Sequence, residues 1–212
     1  TTAELDRFAE QYIRSHSGAE PAFKGYQDFP ATLCTSVNDQ CVHGIPGDRI
    51  LEEGDIISLD CGVLFGGLYT DACITVAVGN VDEQSQNLMR ATEEALQRAV
   101  AMLKAGVRVG DVSAAIEECA EEYGCSPVES LTGHGVGHHL HDFPDIPNLG
   151  SRGTGPVLPA GTVVAIEPIL SLGTGRVRQE SDGWTLSTID GSRTAHTEHT
   201  LLIREHDCKI IA

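Results

Sequence analysis

Apolar residues recur at helical spacing in three stretches of the chain. Leu5, Phe8, Ala9, Tyr12 and Ile13 mark a helix from Thr1 to about Ser17, with Thr1 and Glu4 in capping-box register. Leu88, Met89, Leu96, Val100 and Leu103 form one stripe of a second helix, Ser85 to Ala105, which stops at Gly106. Val112, Ile116, Cys119 and Tyr123 do the same for a third, Asp111 to Tyr123, which stops at Gly124. Extended segments read as strands over Asp55 to Gly62, Leu68 to Val78, Thr162 to Ile169, near Trp184, and over Ala195 to Ile203. Pro21 to Pro46 shows neither period and reads as irregular, and the Gly/His-rich stretch Leu131 to Asp142 reads as a loop. Two long helices on an antiparallel sheet, in an order that repeats, predict an α+β fold with two related halves. A length of 212 residues suits one sizeable core, so residues 1–212 are expected to form a single domain.

The strand pair has a register that the sequence specifies. Gly66-Gly67 is a two-residue hairpin turn, so Phe65 pairs with Leu68, Gly62 with Asp71 and Asp60 with Cys73. Those four inner residues share a face, and Asp60 and Asp71 become diagonal neighbours roughly 7–8 Å apart, with Gly62 leaving space between them. Around them the strands are apolar: Ile57, Leu59, Val63, Leu68, Ile74 and Val76. Two charged carboxylates at that separation are costly unless a shared proton or divalent cations relieve them. The alternative is a solvated face, which antiparallel sheets commonly have, and the hairpin alone does not choose between the two.

Two further acids tilt the balance. Glu167 ends the run Val163-Val-Ala-Ile and Glu198 precedes Leu201-Leu-Ile, and a lone acid in so apolar a strand is seldom satisfied by solvent. Asp60, Asp71, Glu167 and Glu198 together would neutralise two divalent ions. One histidine from Gly133-His-Gly-Val-Gly-His-His-Leu-His141 would complete an oxygen-rich site suited to Mn, Fe, Co or Zn, unlike a thiolate zinc site.

Composition narrows the partners. Thirty-one acidic against fourteen basic residues give a net charge of −17, which disfavours nucleic acid or anionic lipid as the main partner. No apolar run approaches the roughly 20 residues needed to span a membrane. Seven cysteines, an odd number without framework spacing, point to free thiols in a reducing cytoplasm. The chain opens on Thr-Thr, as a processed, trimmed or partial chain would.

In order along the chain, Asp60 and Asp71, Gly133-His134-Gly-Val-Gly137, His141, Ala165-Ile-Glu167-Pro168 and Thr197-Glu198-His199 resemble the type I methionine aminopeptidases. The resemblance runs from Thr1 to about Ile203. It implies the pita-bread fold, with two pseudo-symmetric halves of antiparallel sheet covered by helices. It implies two divalent metal ions (Co, Mn, Fe, Zn or Ni) held by Asp60, Asp71, His134, Glu167 and Glu198, with Asp71 and Glu198 bridging. Glu167 would also act as general base, His43 would hydrogen-bond near the scissile amide, and His141 would stabilise the developing carbonyl charge. His138 and His139 match no required position and read as loop residues at the entrance.

The substrate implied is the initiator methionine of a nascent protein whose second residue is small, met in the cytoplasm at the ribosome by a monomeric enzyme. Positions matching the methionine pocket are Phe23, Tyr26, Phe29, Cys34, Leu140 and Trp184; Phe23 and Tyr26 read more simply as core, leaving Phe29, Cys34, Leu140 and Trp184. The chain departs from the family in three ways. The helix that usually precedes the segment matching Thr1 does not appear, Asp142 and Leu140 replace a common glutamate and aromatic, and His196 stands where glutamine is frequent. By period two His196 shares a face with Glu198. The Xaa-Pro aminopeptidases and prolidases share the five ligands but carry a large preceding domain, and Thr35-Ser-Val-Asn38 to His43-Gly-Ile-Pro46 fits the methionine enzymes better. A non-catalytic binding protein on this fold would have lost ligands, and all five are present.

Overall fold

The computed structural model describes residues 1–212, and its helices form where the apolar stripes lie. Helix α1 spans Thr2–Ser15 behind the Thr1 cap, where Thr1 Oγ1 accepts from the Glu4 N–H and the Glu4 side chain reaches back. Strand β1 (Ala19–Pro21) and a short 3-10 turn (Tyr26–Asp28) lead into β2 (Leu33–Val37) and β3 (Gln40–Val42). The long hairpin β4 (Ile56–Phe65) and β5 (Leu68–Ala77) follows, then α2 (Glu83–Met102), capped by Asp82, and α3 (Val109–Glu122). Strands β6 (Ser126–Pro127), β7 (Thr132–Gly135), β8 (Asp142–Pro147), β9 (Val163–Ile166) and β10 (Ile169–Ser171) come next. The chain finishes with β11 (Val177–Gln179), β12 (Leu186–Thr188), β13 (Thr194–His196), β14 (His199–Ile203) and β15 (Cys208–Ile210).

The result is an α+β pita-bread fold of antiparallel sheets. One sheet holds β1, β4, β2 and β5, and the other large one runs β15-β14-β9-β7-β8. The main core lies between the second sheet and α2 with α3, where Leu88, Leu96, Val112 and Ile116 meet Val164, Ile166, Leu201 and Ile203.

The hairpin has the expected register, with Phe65 opposite Leu68, Gly62 opposite Asp71 and Asp60 opposite Cys73. Its faces invert the usual rule. The face carrying Ser58, Asp71 and Cys73 is buried, whereas Ile74 on the apolar face is 54% exposed. A solvated acid face is therefore ruled out. The space over Gly62 is also not a gap between the carboxylates: a Cβ there would stand 2.5 Å from Phe23 Cε1 and 3.0 Å from Ala22 Cβ, so the glycine admits the Phe23 ring.

Three expectations need correction. Pro21 to Pro46 is not irregular, because it contains β2 and β3; every residue of β2 is buried, so no solvent face exists to print a period of two. The Gly/His stretch is not all loop, since His134 sits within β7 and Asp142 begins β8. The two late strands are each broken, one after Ile166 and the other after His196. Both breaks fall at the same place in space. Before and after them β9 pairs with β14 (Ile166 opposite His199) and β10 with β13 (Ile169 opposite His196), so the two strands change sheets together. Pro168 has no N–H to donate to a ladder, which makes continuous pairing there impossible.

Candidate active site

The joint where β9 and β14 leave one sheet for another presents Glu167 and Glu198. There the second half meets the hairpin. Glu198 N–H donates to Cys73 O at 2.9 Å and Cys73 N–H returns to Glu198 O at 3.4 Å, while Asp71 N–H donates to Thr200 Oγ1 at 2.8 Å and that hydroxyl donates to Asp71 O at 2.7 Å. Four backbone-anchored contacts thus hold Asp71 beside Glu198 across more than a hundred residues of sequence. Asn148, which sequence reasoning did not single out, steadies the other glutamate through Nδ2–H to the Glu167 carbonyl at 3.1 Å.

Asp71, His134 and Glu198 are buried, at 5%, 6% and 2% exposure, and their ligand atoms lie within 4.8 Å of one another. His134 Nε2 is 3.5 Å from Glu167 Oε1 and 4.0 Å from Asp71 Oδ2. Its Nδ1 stands 2.9 Å from Gly135 O. A carbonyl only accepts, so Nδ1 carries the hydrogen and the Nε2 lone pair is directed to the acids, the orientation a metal-ligating imidazole needs. Asp60 lies diagonally from Asp71, flanked across the strands by Cys34 and Cys73.

Burial sets the protonation of this cluster. It pushes Asp60 up to about 7 and raises Asp71, Glu167 and Glu198 as well, with the neighbouring acids adding to the effect in those three. Burial lowers His134 and His43, takes His141 down to about 4, helped by the adjacent histidines, and takes His196 down to about 3. It also keeps the Cys34 and Cys73 thiols protonated.

Asp60 Oδ1, Asp71 Oδ1, Glu198 Oε1 and His196 Nε2 are buried and have no hydrogen-bond partner. Buried carboxylate oxygens without donors are costly, and divalent cations are the partner that satisfies several at once. The donors are hard oxygens with imidazole, and the nearby thiols are not ionised, so the residues fit Mn, Fe, Co or Zn better than a soft thiophilic ion.

The acids form one wall of a cavity of about 310 Å³. Every site residue expected from the sequence lines it: His43, Asp60, Asp71, His134, His141, Glu167 and Glu198, with Phe29, Cys34, Leu140 and Trp184. Phe29 meets Trp184 edge to face with ring centroids 5.1 Å apart, and Trp184 in turn lies 6.2 Å from the His43 ring. Phe23 and Tyr26, read as core from sequence, line the cavity too. Tyr26 and His141 are joined through the hydroxyl and Nδ1 at 2.9 Å. The chain turns between β7 and β8, so the His134 and His141 rings meet at a tilt of 58° with centroids 4.4 Å apart despite their odd spacing. His138 and His139 are exposed and lie outside the cavity lining, next in sequence to Leu140 and His141, which line it. Sequence reasoning also missed Gln27, Ser130, Thr132 and Asp145 in the wall. Thr132 and Asp145 were findable as strand neighbours of the glycine/histidine motif, whereas Gln27 enters through a left-handed backbone (φ 47°) that no pattern announces.

A buried acid and histidine cluster on this fold is matched by family comparison. The model of metallopeptidase family M24 matches residues 1–205. This chain belongs to that family. It is 45% identical over 211 residues to the methionine aminopeptidase of Clostridium perfringens, covering 100% of this chain and 84% of that one. The methionine aminopeptidase 1 of Bacillus subtilis is 43% identical over 205 residues, 97% of this chain and 82% of its own. Among solved structures, the methionine aminopeptidase of Thermotoga maritima superposes with a TM-score of 0.97 at 44% identity, over 99% of this chain and 84% of that one. The prolidase of Pyrococcus furiosus superposes with a TM-score of 0.76 at 25% identity, and there this M24 chain spans only 54% of its relative.

Proposed function

We propose that this M24 metallopeptidase is a methionine aminopeptidase that removes the initiator methionine from nascent chains whose second residue is small. The observation that carries the reading is the buried cluster of Asp71, His134 and Glu198, joined by Asp60 and Glu167, at the wall of a cavity whose remaining lining is aromatic and apolar. These five residues would hold two divalent ions, of Co, Mn, Fe, Zn or Ni. When bound, the ions lower the pKa of a water and polarise the scissile carbonyl.

The chain's own groups supply the rest. Glu167, ionised when the site is loaded, takes the proton of the attacking water on a carboxylate oxygen and passes it to the leaving amine nitrogen. His141 is neutral near pH 7, so it offers a single ring N–H. With the Tyr26 hydroxyl 2.9 Å away as donor to Nδ1, that N–H falls on Nε2, for the developing carbonyl oxygen. His43, buried beside Trp184, bonds near the scissile amide. Phe29 and Trp184 with Leu140 and Cys34 take the methionine side chain, whose thioether packs favourably against ring edges.

On this reading the protein acts in the cytoplasm, as a monomer, on N-termini at the ribosome, with residues 1–212 as one catalytic domain. Seven unpaired cysteines suit that compartment, and no helix is long and apolar enough to cross a membrane. Protein stripped and reloaded with Mn, Co or Fe is expected to release methionine from Met-Ala-Ser, and a chelator to abolish the release. No turnover with any of these ions would overturn the enzyme reading, and faster cleavage of a Xaa-Pro peptide would replace it with the proline-directed one.

A further inference from the structure

One buried side chain facing the acid cluster has no part in that reaction. His196 closes β13, and its Nε2 lies 3.7 Å from Glu167 Oε2 and 3.7 Å from Glu198 Oε2, with no hydrogen-bond partner. The residue cannot withdraw from these oxygens. Its N–H donates to Thr75 Oγ1 at 2.9 Å, its carbonyl accepts from the same hydroxyl at 2.7 Å and from Cys73 Sγ at 3.6 Å, and Ile169 pairs opposite it in β10.

The two glutamates divide their oxygens in the same sense. Glu167 Oε1 faces His134 Nε2 at 3.5 Å, and Glu198, whose carboxylate clusters with Asp71 and His134, has its Oε1 buried and unpartnered. Oε2 of each turns to His196. When metal holds both glutamates ionised, a ring nitrogen lone pair aimed at their remaining oxygens is repulsive, so in that state the hydrogen belongs on Nε2. At 3.7 Å from each oxygen it stands just outside hydrogen-bond reach of both, equally placed to become a shared donor on a small closure.

We propose that His196 is a positioning residue whose Nε2–H, shared by Oε2 of Glu167 and Oε2 of Glu198, ties the two glutamates together and leaves Oε1 of each for metal. The proposal rests on the metal-site reading above. The hydrogen-bond partners of ligating carboxylates typically carry about 10–100-fold in metal affinity. Glutamine, through an N–H of its side-chain amide, supplies the same donor without the ring.

The test is a titration of chelator-stripped protein with Co²⁺, followed by calorimetry and by visible absorption, on wild type, His196→Leu, His196→Asn and His196→Gln. Leucine removes the donor at similar volume, asparagine holds an amide too far back, and glutamine restores the reach. We expect His196→Leu and His196→Asn to bind Co²⁺ about 10–100-fold more weakly with an altered absorption envelope, and His196→Gln to stay within a few-fold of wild type. Should circular dichroism show that His196→Leu does not fold, His196→Asn carries the comparison. Unchanged affinity and spectrum in the donor-free variants would overturn the proposal. So would a His196→Gln as weak as the others, since the imidazole would then be a ligand itself. Wild type that takes up no Co²⁺ overturns the metal-site reading instead.

Discussion

Stripping the metal should turn the site into a pH-dependent weakness. In the metal-free protein, burial holds Asp60 at about 7 against an ordinary 3.8, and Asp71, Glu167 and Glu198 are displaced in the same direction. An acid whose pKa is higher folded than unfolded binds its proton more tightly in the folded chain. The folded state is therefore favoured at low pH, and that advantage is lost as pH rises from the unfolded value through the folded one. For Asp60 alone a gap of about three pH units is worth about 4 kcal/mol, of which roughly 2.5 kcal/mol falls between pH 5 and pH 8. For a chain of this length that lowers Tm by about 5–10 °C. Repulsion from the net charge of −17 acts in the same sense, so Asp60→Asn is the control. In chelator, Asp60→Asn should melt above wild type, with the gap widening by about 2.5 kcal/mol from pH 5 to pH 8, and Mn²⁺ should reverse the order. Calorimetric melts of both proteins at the two pH values check this. Equal melting of chelated wild type at both, or an Asp60→Asn no more stable than wild type at pH 8, would refute the account of the buried acids.

Two other substitutions probe the cavity. Tyr26→Phe removes the only hydroxyl on His141 Nδ1, a contact worth about 1 kcal/mol, and should lower kcat roughly five-fold with KM little changed; an unaltered kcat would show that the ring needs no such partner. Gly62→Ala places a Cβ 2.5 Å from Phe23 Cε1 and should cost about 1–3 kcal/mol in denaturant melts, with a raised KM as the ring shifts into the cavity. An unchanged midpoint would mean that Phe23 is not fixed there.

The helices, the hairpin and the acid pair were legible in the chain because each is a local pattern. A stripe at helical spacing with a cap at Thr1, and a Gly66-Gly67 turn that sets Asp60 and Asp71 on one face, depend on neighbours in sequence alone. Strand β2 was not legible, since burial on every side erases alternation. Nor did period two carry across Glu167 and Glu198: both strands change sheets there, with Pro168 enforcing the break.

What the sequence determined by itself is a set of candidate acids and histidines and how the nearby ones are registered. Which side of the hairpin is buried, and what the acids face, only the tertiary structure decided. Asp71 meets Glu198 through Thr200 and Cys73, contacts spanning two halves that share no local signal. The turn between β7 and β8 brings the His141 ring against His134, and His196 comes to lie evenly between two glutamates. Burial is a property of what packs opposite, and the pKa displacements and unpaired oxygens that make this cluster a metal site follow from burial.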